Sequence, residues 1–286
     1  MKIMDLHVHS IYSDGEYEPS RIVELAKKKD IGVLSITDHD TIDGTKKLRN
    51  FNDPDLFYIH GIEVSTKWDN GQMHILGYDM DLDNSNLNKL IQDLKDNRIY
   101  NMELLLSVLL KEFNIFFNKE EIDELFLKPT LGRPDLAKLL VKHGYATSIK
   151  EAFDKYLVSA YEACNGKRRS ITREEIIQTL KEANALVSLA HAKTLKLNYE
   201  ELKKEILYLK SLGLDAIEIN HEMHNYDYRQ FLRKIKTEYK LLESGGTDFH
   251  GPYIKPFIKL GTGVNNNINI KKLSLVDEIK KRANHS

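Results

Sequence analysis

The chain is poor in cysteine and tryptophan, with one of each among 286 residues. A lone Cys164 cannot form an intrachain disulfide, so a disulfide-stapled scaffold is excluded and nothing points to an oxidising compartment. An excess of one charge is also missing: 42 Lys and Arg stand against 43 Asp and Glu, a formal net charge of −1. A broadly basic surface for gripping long duplex nucleic acid is therefore not expected. No apolar run approaches the roughly 20 residues of a membrane-spanning helix. The opening MKIMDLHVHS turns polar too soon for a secretory leader. No GxxxxGK(S/T) stretch is present, so hydrolysis of nucleotide triphosphates on such a loop is unsupported. The expectation is a cytoplasmic globular enzyme, with 41% hydrophobic and 30% charged residues, sized for one large α/β barrel or two ordinary domains.

Histidine is what the chain has. Of its eleven histidines, His7, His9, His39, His74, His191 and His250 sit in short segments that read as metal-ligating, accompanied by Asp14, Glu63 and Asp248. Nitrogen and carboxylate donors of this kind suit zinc, manganese or iron. In DLHVHS, His7 and His9 are two apart, so on a strand both imidazoles face one side. Asp248 and His250 repeat that spacing, and His39 and His191 follow immediately after strand-like runs. Enzymes built on parallel barrels gather their chemistry at such strand ends. Metal-assisted hydrolysis is the first reading.

The rhythm of the chain supports a parallel sheet, open or closed into a barrel. Strand-like runs at Lys2–Val8, Ile31–Ile36, Phe57–Thr66, Gln72–Tyr78, Leu186–Ala190, Ala216–Ile219 and Leu241–Ser244 are interleaved with helical patterns, and Asn70-Gly71 reads as a hairpin turn. The middle breaks the pattern. Leu87, Leu90, Ile91, Leu94, Met102, Leu105, Leu106, Leu109 and Phe113 recur at helical spacing, and no strand is evident between about 84 and 163. The segment 98–166 is read as a small helical insertion domain in an α/β body formed by 1–97 and 167–286.

The segments DLHVHS-IYSDG, SITDHD, GIEVS, MHILGY, SLAHAK, SGGTDFHG and GRPDLAKLLVKHGY, taken in order, resemble the polymerase and histidinol phosphatase (PHP) family, in particular its nucleotide-directed bacterial phosphoesterases. The resemblance implies a distorted seven-stranded β/α barrel with a trinuclear metal site. By that resemblance His7, His9, Glu63 and Asp248 would hold one metal. Glu63 would bridge to a second, completed by His74 and His191. Asp14, His39 and His250 would hold a third. Up to three divalent ions (Mn, Fe or Zn) outweigh three carboxylates, so an anionic substrate is favoured.

The expected activity is hydrolysis of phosphate esters of nucleotides, such as nucleoside 3',5'-bisphosphates or short RNA, by attack of metal-bound hydroxide. Arg133 in LGRPD is the expected phosphate clamp, with Lys167 and Arg168 as a second phosphate contact. His224 is expected to touch phosphate or protonate the leaving group, with His221 competing for that role. Asp5, Asp38 and Asp40 are candidates for orienting imidazoles. Trp68 and Tyr78 are base-stacking or packing residues, and His60, His143 and His285 carry no motif. The segments SAYEACNGKRRS and His191-Ala192-Lys193 depart from the family pattern, which bears on the substrate. Alternatives are a histidinol-phosphate phosphatase, a metal-dependent amidohydrolase-type enzyme, and a non-enzymatic metal-binding module. The sequence leaves the oligomeric state open.

Overall fold

A computed structural model describes residues 2–128 and 131–284. The chain divides into two compact units, Met1–Ile91 with Ile171–Ser286, and Gln92–Ser170. The division falls inside one helix, Ser85–Phe113, whose unbroken periodicity gives no sequence signal for a boundary.

The first unit holds seven strands: β1 (Ile3–Asp5), β2 (Ile31–Ile36), β3 (Phe57–Thr66), β4 (Met73–Tyr78), β5 (Leu186–Leu189), β6 (Ala216–Asn220) and β7 (Leu242–Gly245). Their spatial order is their chain order. The sheet is mixed rather than parallel: β4 runs antiparallel to both β3 and β5, while the other neighbours pair parallel. The cause is local. The stretch between β3 and β4 is too short for a crossover, so the chain must turn back as a hairpin.

β1 is shorter than its apolar run, but the chain beyond it stays extended. Leu6 N–H donates to Gly245 O, Asp248 N–H to His7 O and His9 N–H to Phe249 O, and Val8 bridges Phe249. The first and last strands are thus joined, and the sheet closes into a distorted barrel. Glycine makes the seam possible: a Cβ on Gly246 would lie 2.3 Å from His7 N.

The barrel interior is apolar at one end. Leu6, Val33, Ile59, Leu76, Tyr78, Leu186 and Ala216 pack with Leu275, Val276 and Ile279 of the last helix, Ser274–Ala283. A second cluster packs Ile22, Val23 and Ala26 of helix Pro19–Lys28 against Ile31, Leu34 and Ile36. These helices present the apolar stripe that their i, i+3, i+4 spacing encodes.

The second unit is helical and has a core of its own. The distal half of Ser85–Phe113 contributes Met102, Leu105 and Leu109. Helix Lys119–Phe126 contributes Leu125, helix Arg133–Lys142 contributes Leu136 and Leu140, and the segment 149–163 contributes Ala152, Leu157 and Ala160. Asn118 and Ser148 cap helix starts by accepting from Glu121 N–H and Glu151 N–H. Among the described residues, no helix is long and apolar enough to cross a membrane.

Candidate metal centre

Register on the sheet brings the first donors together. Ser65 pairs with His74 across β3 and β4, so Glu63 and His74 share a face as diagonal neighbours. Their side chains meet with His74 Nδ1 2.9 Å from Glu63 Oε1. His191, just past β5, places Nε2 2.8 Å from the same oxygen. The other carboxylate oxygen, Oε2, faces His7 Nε2 at 3.1 Å, His9 Nε2 at 3.2 Å and His39 Nδ1 at 3.2 Å. One fully buried carboxylate therefore sits among five imidazole nitrogens.

The remaining acids extend the cluster. Asp248 Oδ1 lies 3.2 Å from His9 Nε2 and 3.6 Å from His7 Nε2. Asp14 Oδ1 lies 3.2 Å from His250 Nε2 and 3.5 Å from His9 Nδ1, and Asp14 Oδ2 lies 3.9 Å from His39 Nε2. Donor atoms fall within 4.8 Å of one another in four overlapping groups built from these nine residues: His9, Asp14, His39 and His250; His7, His9 and Asp248; His7, Glu63 and His191; and His39, Glu63 and His74.

The donor set fits divalent cations on physical grounds. Tetrahedral ligands about 2.1 Å from a metal stand roughly 3.4 Å apart, close to many of these N···O separations. A carboxylate has about four lone-pair sites, so five imidazole partners exceed what it can accept as ordinary hydrogen bonds. His9 Nε2 and His39 Nδ1 are buried with no hydrogen-bond partner, a costly state for polar atoms that ligate nothing.

Electrostatics sets the protonation. Burial pushes the Glu63 carboxyl up, but the surrounding imidazoles, His39 and His7 foremost, hold it well below the usual carboxylate range. Burial likewise raises Asp248, and His250 and Lys255 overcome it, leaving it well below that range. Burial lowers His39 to about 3, against the opposing pull of Glu63 and Asp14. His9 is also opposed by burial, yet Asp248 and Glu63 raise it to about 9. A cation arriving at His9 has to displace a proton.

The supports differ from those expected. Asp5 does not orient an imidazole. Its carboxylate accepts from Thr247 N–H at 2.9 Å, Thr247 Oγ1–H at 2.7 Å and Gly261 N–H at 2.8 Å, bracing the backbone that leads into Asp248. Asp38 accepts from Ser10 N–H at 2.7 Å and from the hydroxyls of Ser10 and Ser13, each at 2.6 Å, fixing the turn that carries Asp14. Asp40 accepts from Ser65 N–H at 2.7 Å. For Asp5 and Asp38 a backbone N–H next to a donor residue is the better-placed partner.

The imidazole anchor is Glu218, which sequence reading missed. Its Oε1 accepts from His7 Nδ1–H at 2.9 Å and its Oε2 from His191 N–H at 2.7 Å. A proton is thereby held on His7 Nδ1, which leaves Nε2, facing Glu63 and Asp248, as the nitrogen a cation would take. One signal for it existed: Glu218 is the lone acid in the buried run Ala216–Ile219, where a charge without a partner would be prohibitive.

His221 and His224 have opposite tautomers. Met223 N–H donates to His221 Nδ1 at 3.2 Å, which puts the His221 proton on Nε2, 3.6 Å from Asp248 Oδ2. His224 donates from Nδ1 to Ile219 O at 3.0 Å, and burial lowers its pKa to about 3. A neutral ring with its one proton committed to backbone is a proton acceptor at Nε2. His221 thus has an N–H on the side of the cluster, and His224 Nε2 is buried with no hydrogen-bond partner.

Arg133, Lys167 and Arg168 belong to the helical unit. The guanidinium carbons of Arg133 and Arg168 lie 4.0 and 3.8 Å from the Tyr161 ring centre. Tyr78 is fully buried and donates to Leu6 O, while half-buried Trp68 donates from Nε1 to Leu195 O. His60 approaches Thr45 Oγ1 at 3.4 Å and His143 pairs with Glu121 at 2.7 Å. His285 lies outside the described residues.

The chain also resembles known proteins. The PHP domain family matches residues 5–224. The 5'-3' exoribonuclease Rnm of Escherichia coli is 29% identical over 267 residues, covering 91% of this chain and 88% of that one. A 3',5'-nucleoside bisphosphate phosphatase of Chromobacterium violaceum is 23% identical over 254 residues, covering 88% of each. A solved chain from Bifidobacterium adolescentis, described as a metal-dependent phosphoesterase, superposes with a TM-score of 0.73 at 25% identity, covering 98% of this chain and 96% of that one. With the family pattern running across most of its length, the chain belongs to the PHP domain family.

Proposed function

We propose that the protein is a metal-dependent phosphoesterase that hydrolyses phosphate esters of nucleotides, nucleoside bisphosphates or short oligonucleotides. The observation that carries this reading is the Glu63 carboxylate buried among five imidazole nitrogens. His7, His9, Glu63 and Asp248 would hold one divalent cation, Glu63, His74 and His191 a second, and Asp14, His39 and His250 a third. Manganese, iron and zinc all suit such donors. Bound there, the cations supply a water-derived nucleophile at neutral pH and positive charge for the phosphoryl oxygens.

The chain supplies the rest. Glu218 holds His7 Nε2 inward, and Lys255 Nζ, 2.6 Å from Asp248 Oδ2, fixes the second oxygen of that carboxylate. His221 offers an Nε2–H to a phosphoryl or leaving oxygen, and His224 offers an acceptor. Arg133 and Arg168 form no ion pair with an acid among the described residues, and both lie over Tyr161. Two guanidiniums that share one aromatic ring and pair with no carboxylate suit a phosphate group, with Lys167 as a third cation. The names of the E. coli and C. violaceum relatives, an exoribonuclease and a nucleoside bisphosphate phosphatase, put nucleotide phosphates ahead of histidinol phosphate.

The test is to count metals per chain by mass spectrometry and to assay nucleoside bisphosphates, short RNA, histidinol phosphate and amides. Phosphate or nucleotide release that chelation and His7→Ala abolish is the expected result. Turnover of amides alone, or turnover that survives complete chelation, would overturn the reading.

A further inference from the structure

The loop that follows His250 exposes two aromatic rings. Tyr253 is 92% and Phe257 77% exposed, and Ile254 between them is 47% exposed. Burying such rings is worth about 25 cal/mol per Å², so leaving both in water needs a reason. The loop is not a loose end. Lys255 N–H donates to Gly251 O at 3.0 Å and Ile258 N–H to Lys255 O at 3.1 Å. Pro252 and Pro256, two of only six prolines in the chain, restrict φ next to each ring. The rings are held outward by a folded turn.

That turn is tied to the metal-candidate cluster at two points. Lys255, midway between the aromatics, reaches Asp248 Oδ2 at 2.6 Å. Ile254 N–H donates to the Glu16 carboxylate, and Glu16 N–H donates to His250 O at 2.9 Å. The second tie joins this loop to the one carrying Asp14 and Ile11, the latter also exposed at 36%. An aromatic rim thus borders a site whose chemistry calls for a phosphate.

From this continuity we infer that Tyr253 and Phe257 are a stacking platform for the bases of a single-stranded oligonucleotide whose terminal phosphate enters the cluster. The inference rests on the phosphoesterase reading above and narrows its substrate class to chains longer than one nucleotide. Every base has a π-face, so such a platform is tolerant of sequence. A nucleotide phosphate in the cluster and its neighbouring bases on the rim satisfy both features with one ligand. A purely apolar partner would leave the adjoining charged cluster unused.

The experiment measures binding of fluorescent, phosphorothioate-protected mono-, tri- and pentanucleotides to the full chain, wild type and Tyr253→Ala/Phe257→Ala. Stacking is worth about 1–3 kcal/mol per base. The double variant is therefore expected to bind the pentanucleotide roughly 10- to 100-fold more weakly. The loss should grow with chain length, and Tyr253→Trp/Phe257→Trp should restore affinity. Both side chains are solvent-exposed, and unchanged thermal melts verify the fold. Equal pentanucleotide affinity in wild type and double variant overturns the inference. So does a wild type that binds no oligonucleotide, or a double variant that changes only the oligomeric state in sedimentation, which would make the rim a contact between copies. Wild type that binds oligonucleotides through the rim but hydrolyses no phosphate ester would sink the catalytic reading and leave the rim standing.

Discussion

The two compact units bury different things. The helical unit follows ordinary rules: its interior is apolar, and its buried acid, Glu121, is paired with Lys142 and His143, each 2.7 Å away. The barrel unit buries Asp5, His7, His9, Asp38, Glu63, Glu218, His221 and Asp248, with more donors than its carboxylates can accept and nitrogens that have no partner. A fold that only needed stability would not concentrate ionisable groups in this way, because charges desolvated without full pairing oppose folding. The contrast separates what holds the molecule together from what it is for.

The sharpest way to break that contrast is Glu63→Gln. If the cluster exists to hold cations, removing its central charge should lower phosphoesterase turnover on the order of 10³-fold and lower the metal count, as read by assay and mass spectrometry. The helical unit should answer in the opposite currency. Leu136→Ala, at a fully buried position, should cost about 2–5 kcal/mol of stability in urea titrations while metals per chain stay as in wild type. Loss of metal in that variant would erase the distinction.

A smaller effect tests the anchor. Glu218→Gln keeps the shape but weakens the grip on His7 Nδ1–H, so metal affinity in competition titrations should fall by about 10- to 100-fold. An unaltered affinity would reduce Glu218 to a packing residue. The smallest effect concerns Glu121. Its hydrogen bond from Lys142 lowers its pKa, so the folded state binds that proton less readily than the unfolded chain. The stability it contributes is present above the ordinary carboxylate range and lost as pH falls through its folded pKa. Wild type and Glu121→Gln should differ in urea midpoint at pH 7 and converge as pH falls below the folded pKa of Glu121.

Much of the site could be read from one-dimensional spacing. His7 and His9 follow β1 with strand alternation, and His39 and His191 follow β2 and β5, so period-two geometry and strand ends identified them. The hidden parts have a common character. Asp5 and Asp38 stand beside motif histidines, yet they serve backbone N–H groups of Thr247 and Ser10 that no spacing reveals. The tautomers of His221 and His224 are set by an N–H and a carbonyl of neighbouring residues, which no spacing reveals either. The parallel sheet expected from alternation is mixed at β4, where the hairpin read at Asn70-Gly71 turns the chain back.

The sequence by itself determined which side chains are available: a set of histidines and acids on strand ends, an apolar stripe on each helix, and a helical stretch without strands. These follow from periodicity and donor chemistry, which are local. Only the tertiary structure decided that His7, His39, Glu63, His191 and Asp248 face one another and that Glu218 holds a proton on His7. It also decided that Tyr253 and Phe257 stand in solvent beside the cluster. Those outcomes depend on barrel closure through the Val8–Phe249 seam and on burial, which are properties of the packed chain and not of any segment within it.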